Sequence, residues 1–167
     1  LAVGGLEKEK GFDLLINSWT NINTKLIIIG SGKEKNTLIN MINAKGLNKK
    51  ITIMDNVQKN KLIKYFKNAK LLIISSRDEG GPRIALEALH LEIPVVSTDV
   101  GYMSNILPKE LLANTNDLVS LQTLLEKYID KIDTINQDAV FEFITKDFSI
   151  DEKISEIRDI YKSLLIS

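Results

Sequence analysis

The stretch Leu71-Leu-Ile-Ile-Ser-Ser-Arg-Asp-Glu-Gly-Gly-Pro-Arg-Ile-Ala-Leu-Glu-Ala-Leu89 decides the fold. Its first four residues are continuously apolar, as in a strand buried on both faces. A polar turn carrying Gly80, Gly81 and Pro82 follows, and then Ile84, Ala85, Ala88 and Leu89 recur at helical spacing. Strand, turn and helix in that order make one βα unit. The same pattern extends outward in both directions. Strand-like runs occur at Leu1–Val3, Lys25–Ile29, Ile51–Met54 and Pro94–Thr98, with a weak sixth near Leu111–Ala113. Between them, Leu14, Leu15, Ser18 and Trp19 share a helical face, as do Leu38, Ile39 and Ile42, and Leu62, Ile63 and Phe66. Leu118, Leu121, Leu125 and Tyr128 continue the series. This alternation predicts an α/β fold: a doubly wound parallel sheet, Rossmann-like, with right-handed crossovers and helices on both faces. Ser149-Ile-Asp-Glu152 has capping-box spacing, and Ile154, Ile157, Ile160, Tyr161 and Leu164 then predict a final amphipathic helix.

Composition narrows the chemistry. The 167 residues amount to one domain. The absence of cysteine excludes a disulfide scaffold, a thiolate zinc site and a cysteine nucleophile. With 22 basic and 22 acidic side chains, the chain carries no global charge with which to grip nucleic acid or anionic lipid. No apolar run reaches the ~20 residues that span a bilayer. The chain opens on Leu1 without an initiator Met or a signal-like segment, and so reads as a piece of a longer protein.

In a doubly wound sheet, ligands bind beyond the carboxyl ends of the strands. The turn after the fourth strand is the richest such position. Gly80 and Gly81 admit close backbone approach, and Pro82 suits a helix start. The free N–H groups of that start form an anion seat. Arg77 and Arg83, two of only three arginines, flank the turn, and a guanidinium fork suits phosphate. Glu79 in the loop and Glu87, about two turns along the helix, could accept hydrogen bonds from sugar hydroxyls. The alternative is a capped helix with two solvated carboxylates. Lys8 and Lys10 follow the first strand and could reach a phosphate. Gly30-Ser-Gly32 follows the second, which makes Gly30 a further candidate, although the third glycine of a dinucleotide fingerprint is absent because position 35 is Lys. His90, the single histidine, reads as structural or solvent-facing, and Trp19 as core. No D-x-D pair is present to hold a metal on a diphosphate, which fits catalysis without one.

Taken in order, these residues resemble a known family. Val3-Gly4, Glu9-Lys10-Gly11-Phe12-Asp13-Leu14-Leu15, Ile29-Gly30-Ser31-Gly32, Ser76, Glu79-Gly80, Glu87-Ala88-Leu89 and Ile93-Pro-Val-Val-Ser-Thr-Asp-Val-Gly101 are collinear with the donor-binding half of the retaining GT-B glycosyltransferases of group 1. The tail from Phe148 to Tyr161 resembles that family's closing helix. The resemblance implies one half of a GT-B architecture, with residues 1–167 as a single donor domain and an acceptor domain missing on the N-terminal side. It implies a nucleotide diphosphate-sugar as donor substrate, no separate cofactor and no metal. A sugar or lipid-linked acceptor would be held by the missing half, through which any membrane contact would also run. Surface polysaccharide or lipopolysaccharide synthesis is the implied setting, in the cytoplasm or peripheral at the inner membrane face.

By the same resemblance, Glu79 contacts the donor sugar and Glu87 the ribose hydroxyls. Gly80 and Gly81 present amides to sugar and diphosphate, Lys10 neutralises the diphosphate, and Asn56 and Val57 line the base. Catalytic weight falls on Glu79 and Lys10, with Arg83 and Lys8 beside the leaving group. The isolated domain is expected to bind nucleotide weakly and to turn over nothing. Some positions depart from the family pattern. Gly5 stands where Arg is usual, with Lys8 as the candidate substitute. Asp55 and Glu92 replace glycines. The Gly-Gly-x-Pro-Glu segment reads Gly101-Tyr-Met-Ser-Asn105, and the stretch Pro108–Asn114 is shortened. Gly5 and the altered segment after Gly101 keep a non-catalytic nucleotide-sugar module open, and the fold alone does not exclude a GT-B sugar-nucleotide epimerase, against which the Glu79/Glu87 pair and Lys10 argue.

Overall fold

Among the described residues, six short strands form the framework: β1 (Ala2–Val3), β2 (Leu26–Ile29), β3 (Ile51–Met54), β4 (Leu72–Ile74), β5 (Val95–Thr98) and β6 (Leu112–Ala113). A computed structural model describes residues 1–147. All pairings are parallel and form two three-stranded sheets, β1-β2-β3 and β4-β5-β6. The sheets meet edge to edge where Leu1 N donates to the Leu71 carbonyl and Ile73 N donates to the Leu1 carbonyl, both at 2.9 Å. The combined order is therefore 3-2-1-4-5-6, and the switch in winding falls between β1 and β4. Ligands collect at such a switch.

Strand positions agree with the sequence pattern to within one residue at each end, because uninterrupted apolar runs between polar turns leave little freedom of register. The helices are α1 (Phe12–Ser18), α2 (Lys35–Ala44), α3 (Lys59–Asn68), α4 (Arg83–His90), α5 (Met103–Ile106), α6 (Leu118–Tyr128) and α7 (Asp138–Asp147). Their buried stripes are narrower than expected. Leu38 and Ile42 are buried but Ile39 is exposed; Phe66 is buried but Ile63 is exposed. Adjacent helical residues diverge by ~100°, so the second member of each apolar pair rotates off the core. Leu118, the first residue of α6, is exposed as well.

α7 is not apparent from periodicity. Val140 and Ile144 bury it, and it carries Gln137 at its start. The fully buried Gln137 side chain accepts from Val95 N at 2.9 Å and donates to Val95 O at 2.8 Å. It thereby stands in for a strand partner beside β5, before β6 has begun. Trp19 lies in the core, its indole N–H donating to Thr24 O at 2.8 Å. The helix expected beyond Ser149 lies outside the described residues. Among the described residues no helix is long and apolar enough to cross a membrane.

Candidate functional site

The loops after β1 and β4 converge at the winding switch. A 3-10 turn (Lys8–Lys10) follows β1 and ends on Gly11, whose φ of +62° places it in the left-handed region. A Cβ on Gly11 would lie 2.0 Å from the Ser75 carbonyl oxygen, so this close crossing of the two loops requires glycine. Two serines at the end of β4 hold the crossing together. Ser75 Oγ donates to Lys10 O at 2.9 Å. Ser76 Oγ donates to Glu79 Oε2 at 2.8 Å, and Ser76 O in turn accepts from Thr98 Oγ1 at 2.7 Å.

This brings Lys10 and Glu79 together. Lys10 Nζ lies 2.5 Å from Glu79 Oε1, with side-chain exposures of 29% and 17%. Both groups keep spare capacity. An ammonium has three donors and a carboxylate about four acceptor sites. One bond is used on Lys10 and two on Glu79. A small depression beside the pair is lined by Lys10, Phe12, Ser76, Glu79 and Ile84.

Arg77 does not present its fork to a ligand as the sequence suggests. Its Nη1 and Nη2 donate to the two Asp13 carboxylate oxygens, each at 2.7 Å. Nη1 also donates to Lys8 O and Nε to Asn116 Oδ1, both at 2.8 Å. Burial would raise the Asp13 pKa, but the Arg77 hydrogen bonds and charge, with backbone N–H groups of the first turn of α1, outweigh it and hold it below the usual carboxylate range. The Asp13 hydrogen bonds raise the Arg77 pKa in return, against its own desolvation. Arg77 is therefore a clamp. It fixes the turn that carries Lys8 and Lys10 against α1 and the loop before α6.

The remaining candidates spread around this centre. Arg83 is exposed and opens α4, with Pro82 as the preceding cap and no side chain bonded to the cap N–H groups. Glu87 is exposed on α4, four residues after its start. That is ~6 Å along the axis, one turn rather than two, because the helix begins at Arg83 and not nearer Gly80. Gly80 has open space where a side chain would project, whereas a Cβ on Gly81 would strike the Tyr102 ring at 1.7 Å. The two glycines thus serve different needs, access at one and packing at the other. Lys8 and Gly5 are exposed, and a Cβ on Gly5 would make only ordinary contacts, with Glu7 Cγ at 3.7 Å and Ser31 O at 4.0 Å.

Gly30 is explained within the chain, since a Cβ there would lie 1.8 Å from Gly4 O. Asn56 Nδ2 donates to Ser31 Oγ at 2.6 Å, tying the loop after β3 to the loop after β2, with Val57 half-buried beside it. His90 is exposed at the end of α4. Sequence reasoning gave no role to Ser75, Asp13 or Tyr102. The available signal was a Ser-Ser pair directly after a fully apolar strand, where buried polar groups need partners.

A larger cavity, of about 510 Å³, lies at the opposite, amino-terminal ends of β1, β2 and β4, lined by Trp19, Ile27, Tyr65, Ile73 and Ile129 among others. It is remote from the charged cluster, and the crossover geometry assigns ligand binding to the other end.

The same architecture occurs in Anabaena HepE in complex with UDP, with a TM-score of 0.82 at 17% identity, over 97% of this chain and 48% of that one. An uncharacterized glycosyltransferase of Methanocaldococcus jannaschii is 38% identical over 102 residues, 58% of this chain and 25% of the relative. The amylovoran biosynthesis glycosyltransferase AmsD of Erwinia amylovora is 28% identical over 143 residues, 77% of this chain and 40% of the relative. The chain thus spans less than half the length of these curated relatives. Residues 1–138, which contain every candidate described above, match the family Glycosyl transferases group 1. With its parallel sheet, its charged crossing at the winding switch and this match, the chain belongs to the glycosyl transferases group 1 family.

Proposed function

We propose that this chain is the donor-binding half of a retaining glycosyltransferase that uses a nucleotide diphosphate-sugar and builds a surface polysaccharide. The observation that carries the proposal is the Lys10–Glu79 pair, held at 2.5 Å across the β1 and β4 loops at the winding switch. A cation and a carboxylate fixed side by side suit a ligand with phosphate at one end and hydroxyls at the other. The donor diphosphate sits against Lys10, Arg83, Lys8 and the N-terminus of α4; Gly80, Gly81 and Gly5 line its path. The sugar sits against Glu79, the ribose hydroxyls against Glu87, and the base near Gly30, Asn56 and Val57. AmsD's role in amylovoran biosynthesis supports the polysaccharide setting, and the UDP complex of HepE supports the donor class.

In the reaction, the bond from the anomeric carbon to the diphosphate oxygen breaks and negative charge grows on the leaving group. Lys10 and the helix N–H groups are already oriented toward that position, so they stabilise the charge without reorganising. Glu79, fixed by Ser76 and Lys10, orients the sugar and lies near the positive charge developing at its anomeric carbon. An acceptor hydroxyl, held by an N-terminal domain, attacks from the face the diphosphate leaves, forming the new glycosidic C–O bond as its proton passes to the departing diphosphate oxygen. Closing a cleft between two such halves excludes water. The protein side chains named here meet the diphosphate charge, and the donor is substrate rather than cofactor.

Titration with UDP and GDP tests this. The chain binds one of them weakly and transfers no sugar alone. Lys10→Ala or Glu87→Ala lowers affinity by ~10-fold or more, the loss of one charge-assisted hydrogen bond. Equal binding by the wild type and both variants refutes the assignment, and sugar transfer by the chain alone refutes the division of labour.

A further inference from the structure

The segment after β5 sits directly behind the Gly80–Gly81 turn. Gly101, at φ +53°, faces it so closely that a Cβ would lie 2.3 Å from Gly80 O and 2.7 Å from Glu79 O. Tyr102 follows, anchored by the buried neighbours Val100 and Met103. Its ring edge fills the volume that any side chain at position 81 would need. A Cβ on Gly81 would lie 1.7 Å from Tyr102 Cε1 and 2.7 Å from Cζ, the carbon that bears the hydroxyl. Tyr102 Oη is buried and, among the described residues, is the one buried side-chain polar atom without a hydrogen-bond partner.

An orphaned buried hydroxyl is uncommon and calls for a reason. The charges that bear on this one are Glu79 and Arg83, the two side chains that flank the turn. Burial, reinforced by the Glu79 charge and opposed by Arg83, raises the Tyr102 pKa, so the phenol stays neutral and can both donate and accept. The turn that packs on the Tyr102 ring carries no side chain at Gly80 or Gly81, and beside Gly80 there is open space.

We propose that Tyr102 is a specificity-determining residue of the donor site: when a bound donor shifts the Gly80–Gly81 turn, the ring walls the sugar end beside Glu79 and the hydroxyl finds its missing partner on a hydroxyl of the donor sugar. This rests on the reading of Glu79 as the sugar-contacting carboxylate. A glycine at this position would leave the volume open. Tyrosine narrows the range of sugars that fit and gives the accepted one a partner. A site built to hydrogen-bond a substrate hydroxyl rejects analogues that lack it far more strongly than an apolar pocket does.

The test is titration of wild type, Tyr102→Phe and Tyr102→Ala with UDP, UDP-glucose, UDP-galactose, UDP-N-acetylglucosamine and UDP-glucuronate, and with GDP and GDP-mannose. Tyr102→Phe keeps the ring. It is expected to melt at or above the wild-type temperature, to bind the free nucleotide within about twofold of wild type, and to bind the preferred sugar nucleotide ~10-fold more weakly. Tyr102→Ala is expected to flatten the ranking among sugars. A Tyr102→Phe chain with wild-type affinity and ranking for every sugar nucleotide overturns the inference while leaving the donor-site assignment intact. Failure of the wild type to bind UDP or GDP at all overturns both.

Discussion

Replacing Arg77 with alanine removes the clamp under the Lys8–Lys10 turn. Four side-chain hydrogen bonds are lost: two to Asp13, one to Lys8 O and one to Asn116 Oδ1. The Arg77 N–H to Glu9 O bond at 2.6 Å survives, so the loops still touch. The Arg77 and Asp13 side chains are 19% and 34% exposed, which places the pair between two regimes. An exposed pair contributes ~0–1 kcal/mol, and breaking a buried one costs ~3–5 kcal/mol. The bidentate fork is then worth ~2 kcal/mol. The other two bonds involve exposed groups that water can satisfy, so they add under ~1 kcal/mol together. Urea denaturation at pH 7 should show a loss of ~2–3 kcal/mol, or a fall in Tm of roughly 5–10 °C. Arg77→Lys should recover little, since an ammonium cannot reproduce the fork. A double-mutant cycle with Asp13→Ala isolates the pair. The Asp13 pKa is depressed in the folded state, so its share of stability is present above the unfolded value near ~4 and is lost as pH falls through the lower folded value. The coupling should therefore shrink between pH 7 and pH 3. A loss below ~0.5 kcal/mol, or a coupling insensitive to acid, would refute the clamp.

Other substitutions probe neighbouring parts of the same framework. Gly11→Ala forces a Cβ to 2.0 Å from Ser75 O at a positive φ and should cost more than ~2 kcal/mol in chemical denaturation; a neutral result means the loop crossing is soft. Gln137→Ala strips both partners from Val95 N and O, and two unpaired buried groups should lower stability by ~2–4 kcal/mol; a change under ~1 kcal/mol by the same assay would show that β5 does not depend on this mimicry. Gly5→Arg adds a guanidinium at an exposed position of the β1 loop where a Cβ meets no clash, and should tighten nucleotide diphosphate binding by ~10-fold at low salt, with a steeper salt dependence by calorimetry. Weaker binding would show that Lys8 already occupies the role.

Much of the architecture was legible in the chain because each level agreed with the next. Continuous apolar runs at Leu26–Ile29 and Leu72–Ile74 require a sheet buried on both faces, and helical patterns between them require parallel crossovers. The β4 turn was legible for a related reason: glycines, a proline and scarce arginines gathered at the end of a buried strand. Arg77 was misread because a motif gives proximity along the chain, whereas Asp13 lies 64 residues away and meets it through folding alone. Gly81 has a second reason to be glycine that no motif carries, because Tyr102, 21 residues on, fills its side-chain volume. Ile39 and Ile63 were assigned to the core because the apolar pattern gives the period of a face but not its width.

The sequence by itself determined the α/β class, the positions of six strands, the order of the family's motifs and the presence of Glu79 and Glu87 eight residues apart. Those features depend on local periodicity and local turn chemistry, which a single stretch of chain contains in full. Tertiary structure alone decided that Lys10 meets Glu79, that Arg77 is committed to Asp13, and that the Tyr102 hydroxyl stands unpartnered behind the glycine turn. Each of these is a contact between loops that only the parallel crossovers bring to one end of the sheet. Their partners are set by ångström-scale geometry between distant segments, which no local pattern encodes.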